Sequence, residues 1–176
     1  MSLVLSQRKS ILQGIASLMI ISGLHLKHTA DEIGDQKTNQ MPAELLFVIG
    51  FVLLAWSIGT RGDVSTIVPQ KLSAAGASVV AILAGMYFKN KETDPKEQKK
   101  WKLLFAAGWI GLGVSICYDK EYANMGFAAA GVLAALVSTL GFMPWARNIV
   151  QMVPDHPGYS ILCVGFMLLW LANCYK

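Results

Sequence analysis

Long apolar runs alternate with short polar ones along the whole chain. Six stretches contain no Asp, Glu, Lys or Arg: Ser10 to Leu26, Leu45 to Thr60, Leu72 to Phe88, Leu103 to Tyr118, Tyr122 to Ala146 and His156 to Tyr175. A bilayer core of about 30 Å needs roughly 20 helical residues at 1.5 Å each, so the shorter runs are at the lower limit. Lys27, Lys71, Lys89 and Lys102 stand at their edges. A lysine stem lies along an apolar helix while its ammonium reaches the headgroups, which lengthens such a span by about a turn. Backbone groups in lipid must pair within their own segment, and the ten-residue alternation of a membrane barrel is not present. The pattern therefore predicts about six transmembrane helices, near 10–26, 44–60, 72–88, 102–118, 123–143 and 158–175. Trp56, Tyr87, Phe88, Trp101, Tyr118, Tyr122, Trp145, Tyr159 and Tyr175 fall near their ends, as an interfacial belt requires.

Arg8 and Lys9 precede the first run as they would in a secretory signal. The run meets Lys27 and His28 in place of a small-residue cleavage site, so a retained helix is expected. The connections are too short to fold separately, which makes residues 1–176 a single integral membrane domain. Pro144 to Pro154, with Trp145, Ile149, Val150, Met152 and Val153 around Arg147, reads as a short helix lying in the interface.

Composition strengthens this picture. The chain is 54% hydrophobic and 15% charged with a formal net charge of +4, where soluble domains carry about 25% charge. Its mean hydropathy is +0.47. A soluble enzyme, a disordered segment, a collagen and a disulfide scaffold are excluded, and an all-α, polytopic helix bundle remains. Lys89, Lys91, Lys96, Lys99, Lys100 and Lys102 crowd one connection, so the positive-inside rule places it in the cytosol and both termini opposite.

Between membrane helices the hydrophobic effect is spent, and association depends on close approach at small residues. Ser73, Ala77, Ala81 and Gly85 recur every four residues in the third segment, Ala107, Gly111 and Ser115 in the fourth, and Gly126, Ala130, Ala134 and Ser138 in the fifth. Each set occupies one helix face. These stripes are the expected packing residues, with segments three, four and five at the centre and one, two and six outside. A weak three-plus-three repeat is suggested by Ile67-Val68-Pro69 and Met152-Val153-Pro154 after the second and fifth segments, and by Gln7-Arg8-Lys9 and Gln98-Lys99-Lys100 before the first and fourth. Halves of three spans would form an inverted pair, an architecture common in small transporters.

Chemistry-bearing residues are sparse. The interior polar inventory is Gln13, Asn124, Asn173 and several Ser and Thr, with the two asparagines read as capping or interface residues. His25, His28 and Glu32 fall at i, i+3 and i+7, where a metal triad would place them; a charged helix end accounts for them, and no metal or other cofactor is expected. Cys117, Cys163 and Cys174 are dispersed and read as reduced, small apolar residues. Phosphate loops, HExxH motifs and nucleophile pairs do not occur, so enzyme activity has no visible basis. Arg61-Gly62-Asp63 reads as a turn. The lysines at 89, 91, 96, 99, 100 and 102 are interleaved with Glu92, Asp94 and Glu97; they read as a solvated topogenic loop, or as a contact for anionic headgroups or an acidic protein face, with no direct nucleic-acid binding expected.

Pro69-Gln70 resembles the Pro-Gln pair of the PQ-loop carriers, but the second half reads Pro154-Asp155 at the equivalent place, and the likeness is not adopted. The overall character, a compact six-span chain with no catalytic residues and minimal tails, resembles the small proteins built into the internal membrane of large icosahedral DNA viruses. That resemblance implies a virion membrane, or one derived from the endoplasmic reticulum, as the setting. Two functions follow as expectations. One is a structural or assembly protein surrounded by membrane lipid and docking other proteins of a larger assembly; the near-absence of buried charge favours it. The other is a small transporter or channel of two three-helix halves, with Pro69, Pro144 and the small-residue faces around a path.

Overall fold

The computed structural model describes residues 2–33, 36–61, 66–118, 122–140 and 157–174, with the backbone alone for 2–7, 27–33, 36–41, 89–90, 122–123, 139–140 and 157–160. These residues form six helices: α1 (Ser2–Ile33), α2 (Gln36–Gly59), α3 (Pro69–Lys91), α4 (Pro95–Cys117), α5 (Tyr122–Leu140) and α6 (Pro157–Cys174). Arg8–Leu26, Pro42–Gly59, Pro69–Phe88 and Pro95–Cys117 are long and apolar enough to cross a membrane, while the described apolar parts of α5 and α6, Asn124–Ser138 and Ile161–Cys174, are shorter. The outer surface carries large apolar side chains on every helix: Leu18 is 66% exposed, Val52 56%, Val80 66%, Val114 62%, Leu133 62% and Met167 63%. Water would oppose such a surface and a bilayer suits it. The chain is an α-helical membrane bundle.

Local sequence explains where helices start. Pro95 occupies the first turn of α4, where its missing N–H costs nothing, and the Asp94 side chain caps by accepting from Lys96 N at 2.9 Å. Pro69 opens α3 in the same way after an extended Val68. The lysine-rich stretch is correspondingly not an open loop. Only residues 92–94 lie outside helix there. Gln98 tightens this turn by donating from its side chain to Glu92 O at 2.7 Å.

The helices pack two by two. α1 pairs with α2, α3 with α4, and α5 with α6; the second helix of each hairpin also packs on the first of the next, α2 on α3, α4 on α5, and α6 on α1. Glycine sets each hairpin crossing. A Cβ on Gly23 would meet Ala43 O at 2.7 Å, and one on Gly50 would meet Ala16 O at 2.9 Å. Gly85 lies over Trp101 and Phe105 in the same manner, and Gly108 over Ser78 and Ile82; Gly131 and Gly165 face each other in the third hairpin.

These contacts reveal a threefold internal repeat. Buried residues of α1, α3 and α5 correspond as Lys9, Lys71 and Asn124; Gln13, Ala75 and Ala128; Ala16, Ser78 and Gly131; Ile20, Ile82 and Ala135. Those of α2, α4 and α6 correspond as Phe47, Phe105 and Leu162; Gly50, Gly108 and Gly165; Phe51, Trp109 and Phe166; Leu54, Leu112 and Leu169; Ile58, Ile116 and Asn173. The three aromatic equivalents meet on the axis: Trp109 stands edge-to-face with Phe51 at 5.8 Å and with Phe166 at 5.9 Å. One turn further, Leu54, Leu112 and Leu169 are fully buried. Helix contacts thus follow two-helix units, each entering and leaving on the same side, in place of inverted three-helix halves. Met152-Val153-Pro154, on which the halved reading leaned, lies outside the described residues, as does the proposed interfacial helix at 144–154.

The predicted packing stripes lie only partly in the helix contacts, where Gly111 approaches Ser78 and Ala134 approaches Gly165. Ser73, Ala77, Ala107, Gly126 and Ala130 are exposed, and Ala81, Gly111, Ala134 and Ser138 only half-buried, whereas Gly85 and Ser115 are buried. Four-residue spacing on a helix of 3.6 residues per turn drifts around the cylinder, so a long stripe cannot stay on one contact. Glycines at the crossing points do most of the packing, Gly85 and Gly111 of the predicted stripes among them. The expected centre is also revised: the axis is built from α2, α4 and α6, and α3 and α5 flank it.

Candidate functional site

Polar side chains are gathered at the end of the bundle where the second helix of each hairpin finishes. Lys9, Gln13, Ser57, Thr60, Lys71, Ser115, Asn124 and Asn173 are all buried there. Lys9 is only 7% exposed and Lys71 2%, so Lys71 does not reach out to headgroups as a flanking lysine was expected to do. Their surroundings explain it. The last carbonyls of a helix lack intrahelical donors and carry the negative end of its dipole. Lys9 Nζ donates to Thr60 O at 2.8 Å beyond the end of α2, and Val68 N–H donates to Gly59 O at 2.8 Å. Lys71, the equivalent of Lys9, lies close enough to Cys117 at the end of α4 to act on it electrostatically. At the third equivalent position stands Asn124, a neutral donor, beside α6.

A second layer joins three helices. Asn173 Nδ2 on α6 donates to Gln13 Oε1 on α1 at 2.6 Å and to Ser57 Oγ on α2 at 3.4 Å. Ser57 in turn donates to Lys9 O at 3.5 Å. Trp170 Nε1 donates to Ser10 O at 3.2 Å, a further tie between α6 and α1. Gln13 Nε2 and Asn173 Oδ1 have no hydrogen-bond partner among the described residues, although both side chains are essentially fully buried. A buried group left unpaired costs about 1–3 kcal/mol. The cluster is therefore a polar junction that fixes helix register with spare bonding capacity. It presents no charge-separated acid–base pair.

The lysines singled out at the other end are dispersed. Lys91, Lys96, Lys99 and Lys100 are exposed, Lys102 is half-buried, and the Lys89 side chain lies outside the described residues. Lys100 pairs with Glu97 one turn away. Lys91 Nζ donates to Tyr87 Oη at 3.0 Å and stands 5.1 Å from that ring's centroid; this hydrogen bond and the charge of Tyr87 raise its pKa above the ordinary lysine value. Cys117, Cys163 and Cys174 are half-buried and form no disulfide among the described residues, and Cys174 Sγ donates to Gln13 Oε1 at 3.6 Å. Of the weighed metal triad, His25 is exposed, and the His28 and Glu32 side chains lie outside the described residues; no group of three metal-ligating side chains occurs among the described residues.

Sequence reasoning singled out Gln13, Asn124, Asn173 and several Ser and Thr as interior groups but did not count Lys9 and Lys71 among them. The signal was present: Lys9, Gly14 and Gly23 recur at identical spacing as Lys71, Gly76 and Gly85. Comparison with family models, curated proteins and solved structures finds no match.

Proposed function

We propose that this protein is a structural or assembly component of a membrane, packing with other proteins or copies of itself inside a lipid-embedded assembly. The observation that carries the reading is the filled axis. Phe51, Trp109 and Phe166 close it, and the fully buried Leu54, Leu112 and Leu169 fill the next turn. A permeation path normally needs a water-lined cavity or intramembrane ionisable groups facing one. Lys9 is turned to the Thr60 carbonyl at the end of α2, which is a structural use. Outward-facing small residues at Ser73, Ala77, Ala107, Gly126 and Ala130 offer surfaces on which another membrane helix can approach closely. The exposed Lys96, Lys99 and Lys100 present positive charge to headgroups or to an acidic protein face, without nucleic-acid binding.

A transporter or channel is the second reading. It is favoured by the buried Lys9 and Lys71 and by the spare donor and acceptor of Gln13 and Asn173. Gentle purification from the source membrane separates the two. Stoichiometric recovery with other membrane or shell proteins, such as those of a virion membrane, supports assembly. Recovery as a lone species that also drives solute flux in liposomes, with flux lost on Gln13→Leu, overturns it.

A further inference from the structure

α2 and α3 diverge along their length. At the polar end they touch: a Cβ on Gly59 would lie 2.7 Å from Leu72 Cα, and Thr60 and Ile67 form a bridge. Toward the opposite end no such glycine sits between them, and a cavity of about 400 Å³ opens between the first two hairpins. That volume falls within the usual range for small-ligand pockets, roughly 300–1,000 Å³. Phe47 and Val48 form one wall and Leu83 and Met86 the other, with Gly23 and Leu24 of α1 behind. Glu44, Tyr87 and Lys91 complete the lining, all three exposed.

The charges define the mouth. Glu44 enters just after Pro42, where the α2 span begins, and Lys91 ends α3 just beyond the Phe88 limit of its span, so both stand at the depth of the headgroups while the cavity runs inward among apolar side chains. A carboxylate accepts hydrogen bonds from several donors at once, and an ammonium has three protons to give. Tyr87 Oη accepts a hydrogen bond from Lys91 Nζ at 3.0 Å and holds that nitrogen beside the opening. We propose that this cleft binds one zwitterionic aminophospholipid, with an acyl chain between α2 and α3, the phosphate on Lys91 and the primary amine on Glu44. An anionic lipid without the amine gains Lys91 but meets the Glu44 carboxylate. A choline lipid has no N–H to donate.

The full-length protein in mild detergent, incubated with equal amounts of phosphatidylethanolamine, phosphatidylcholine and phosphatidylglycerol and analysed by native mass spectrometry, tests this. The expected result is one retained lipid per chain with at least about threefold preference for phosphatidylethanolamine. Val48→Trp, an exposed wall residue enlarged into the cleft, should abolish retention of all three lipids. Exchange of both charges, Glu44→Lys with Lys91→Glu, keeps the net charge and should lose no more than about half of the preference, whereas Glu44→Leu, which removes the acceptor, should equalise phosphatidylethanolamine and phosphatidylcholine. Equal retention of the three lipids by the unaltered protein, or a preference that survives Val48→Trp, would overturn the proposal and leave ordinary annular lipid.

Discussion

The two ends of this bundle use opposite means to face their surroundings. At the polar end, Lys9, Gln13, Ser57, Thr60 and Asn173 tie α1, α2 and α6 together, and Gly59 brings α2 against α3. At the other end the first two hairpins separate and an apolar cleft opens. Apolar side chains line both regions of α2 and α3, so hydrophobicity does not explain the difference. In lipid, an apolar helix face is as content against an acyl chain as against another helix. Helices close where backbone approach or hydrogen bonding rewards them, and they part where neither does.

The largest effect should come from forcing the closed end open. Gly59→Leu places a side chain where a Cβ alone meets Leu72 at 2.6 Å, and overpacking of this kind costs up to about 3 kcal/mol. Thermal unfolding in detergent should show a large loss, whereas Val48→Trp at the cleft should leave the midpoint nearly unchanged; equal losses would mean that the two ends do not differ in closure. Next comes the buried ammonium. Lys9→Met strands the Thr60 carbonyl and should cost about 2 kcal/mol, against almost nothing for Lys96→Met on the exposed turn, measured in the same assay.

The three-helix junction sharpens the comparison further. Asn173→Leu should cost about 1 kcal/mol, typical of interhelical hydrogen bonds in membranes. Because Gln13 Nε2 and Asn173 Oδ1 are already unpaired, the double variant Gln13→Leu/Asn173→Leu should lose less than the sum of the single losses. A double-mutant cycle with strict additivity would show that the junction does not act as a unit. The smallest effect belongs to the cleft mouth. Tyr87→Phe removes the oxygen that accepts the Lys91 hydrogen bond, so the Lys91 pKa should fall toward the ordinary lysine value in an NMR titration, with stability unaltered.

Much of the helix layout was legible in the chain. Runs free of charge lie along the helices because lipid tolerates neither unpaired backbone nor unpaired charge, although α1, α2 and α4 extend past them to Ser2–Ile33, Gln36–Gly59 and Pro95–Cys117. The repeat was legible too, although it was sought in halves. Phe47-x-x-Gly50-Phe51, Phe105-x-x-Gly108-Trp109 and Leu162-x-x-Gly165-Phe166 carry it in plain order. Dividing the chain into three-helix halves cuts the middle hairpin in two and hides the correspondence.

The small-residue stripes show where sequence reading stops. Ala77 and Gly85 lie on one α3 stripe, yet Ala77 faces outward and Gly85 is pressed against Trp101 and Phe105. Both are small, and composition cannot distinguish a residue that lets a neighbour approach from one that has no neighbour. The same holds for lysine: Lys71 and Lys102 both flank apolar runs, and only the position of a helix end decides that Lys71 is buried. By itself the sequence determined an all-α membrane helix bundle and the approximate placing of its apolar segments, because these depend on transfer of each segment into lipid. The tertiary structure decided which faces meet, that the aromatic residues converge on one axis, that Lys9 and Lys71 are buried with Lys9 turned to the Thr60 carbonyl, and that a cleft opens between α2 and α3. Those outcomes depend on how helices cross, and crossing is a property of pairs of surfaces.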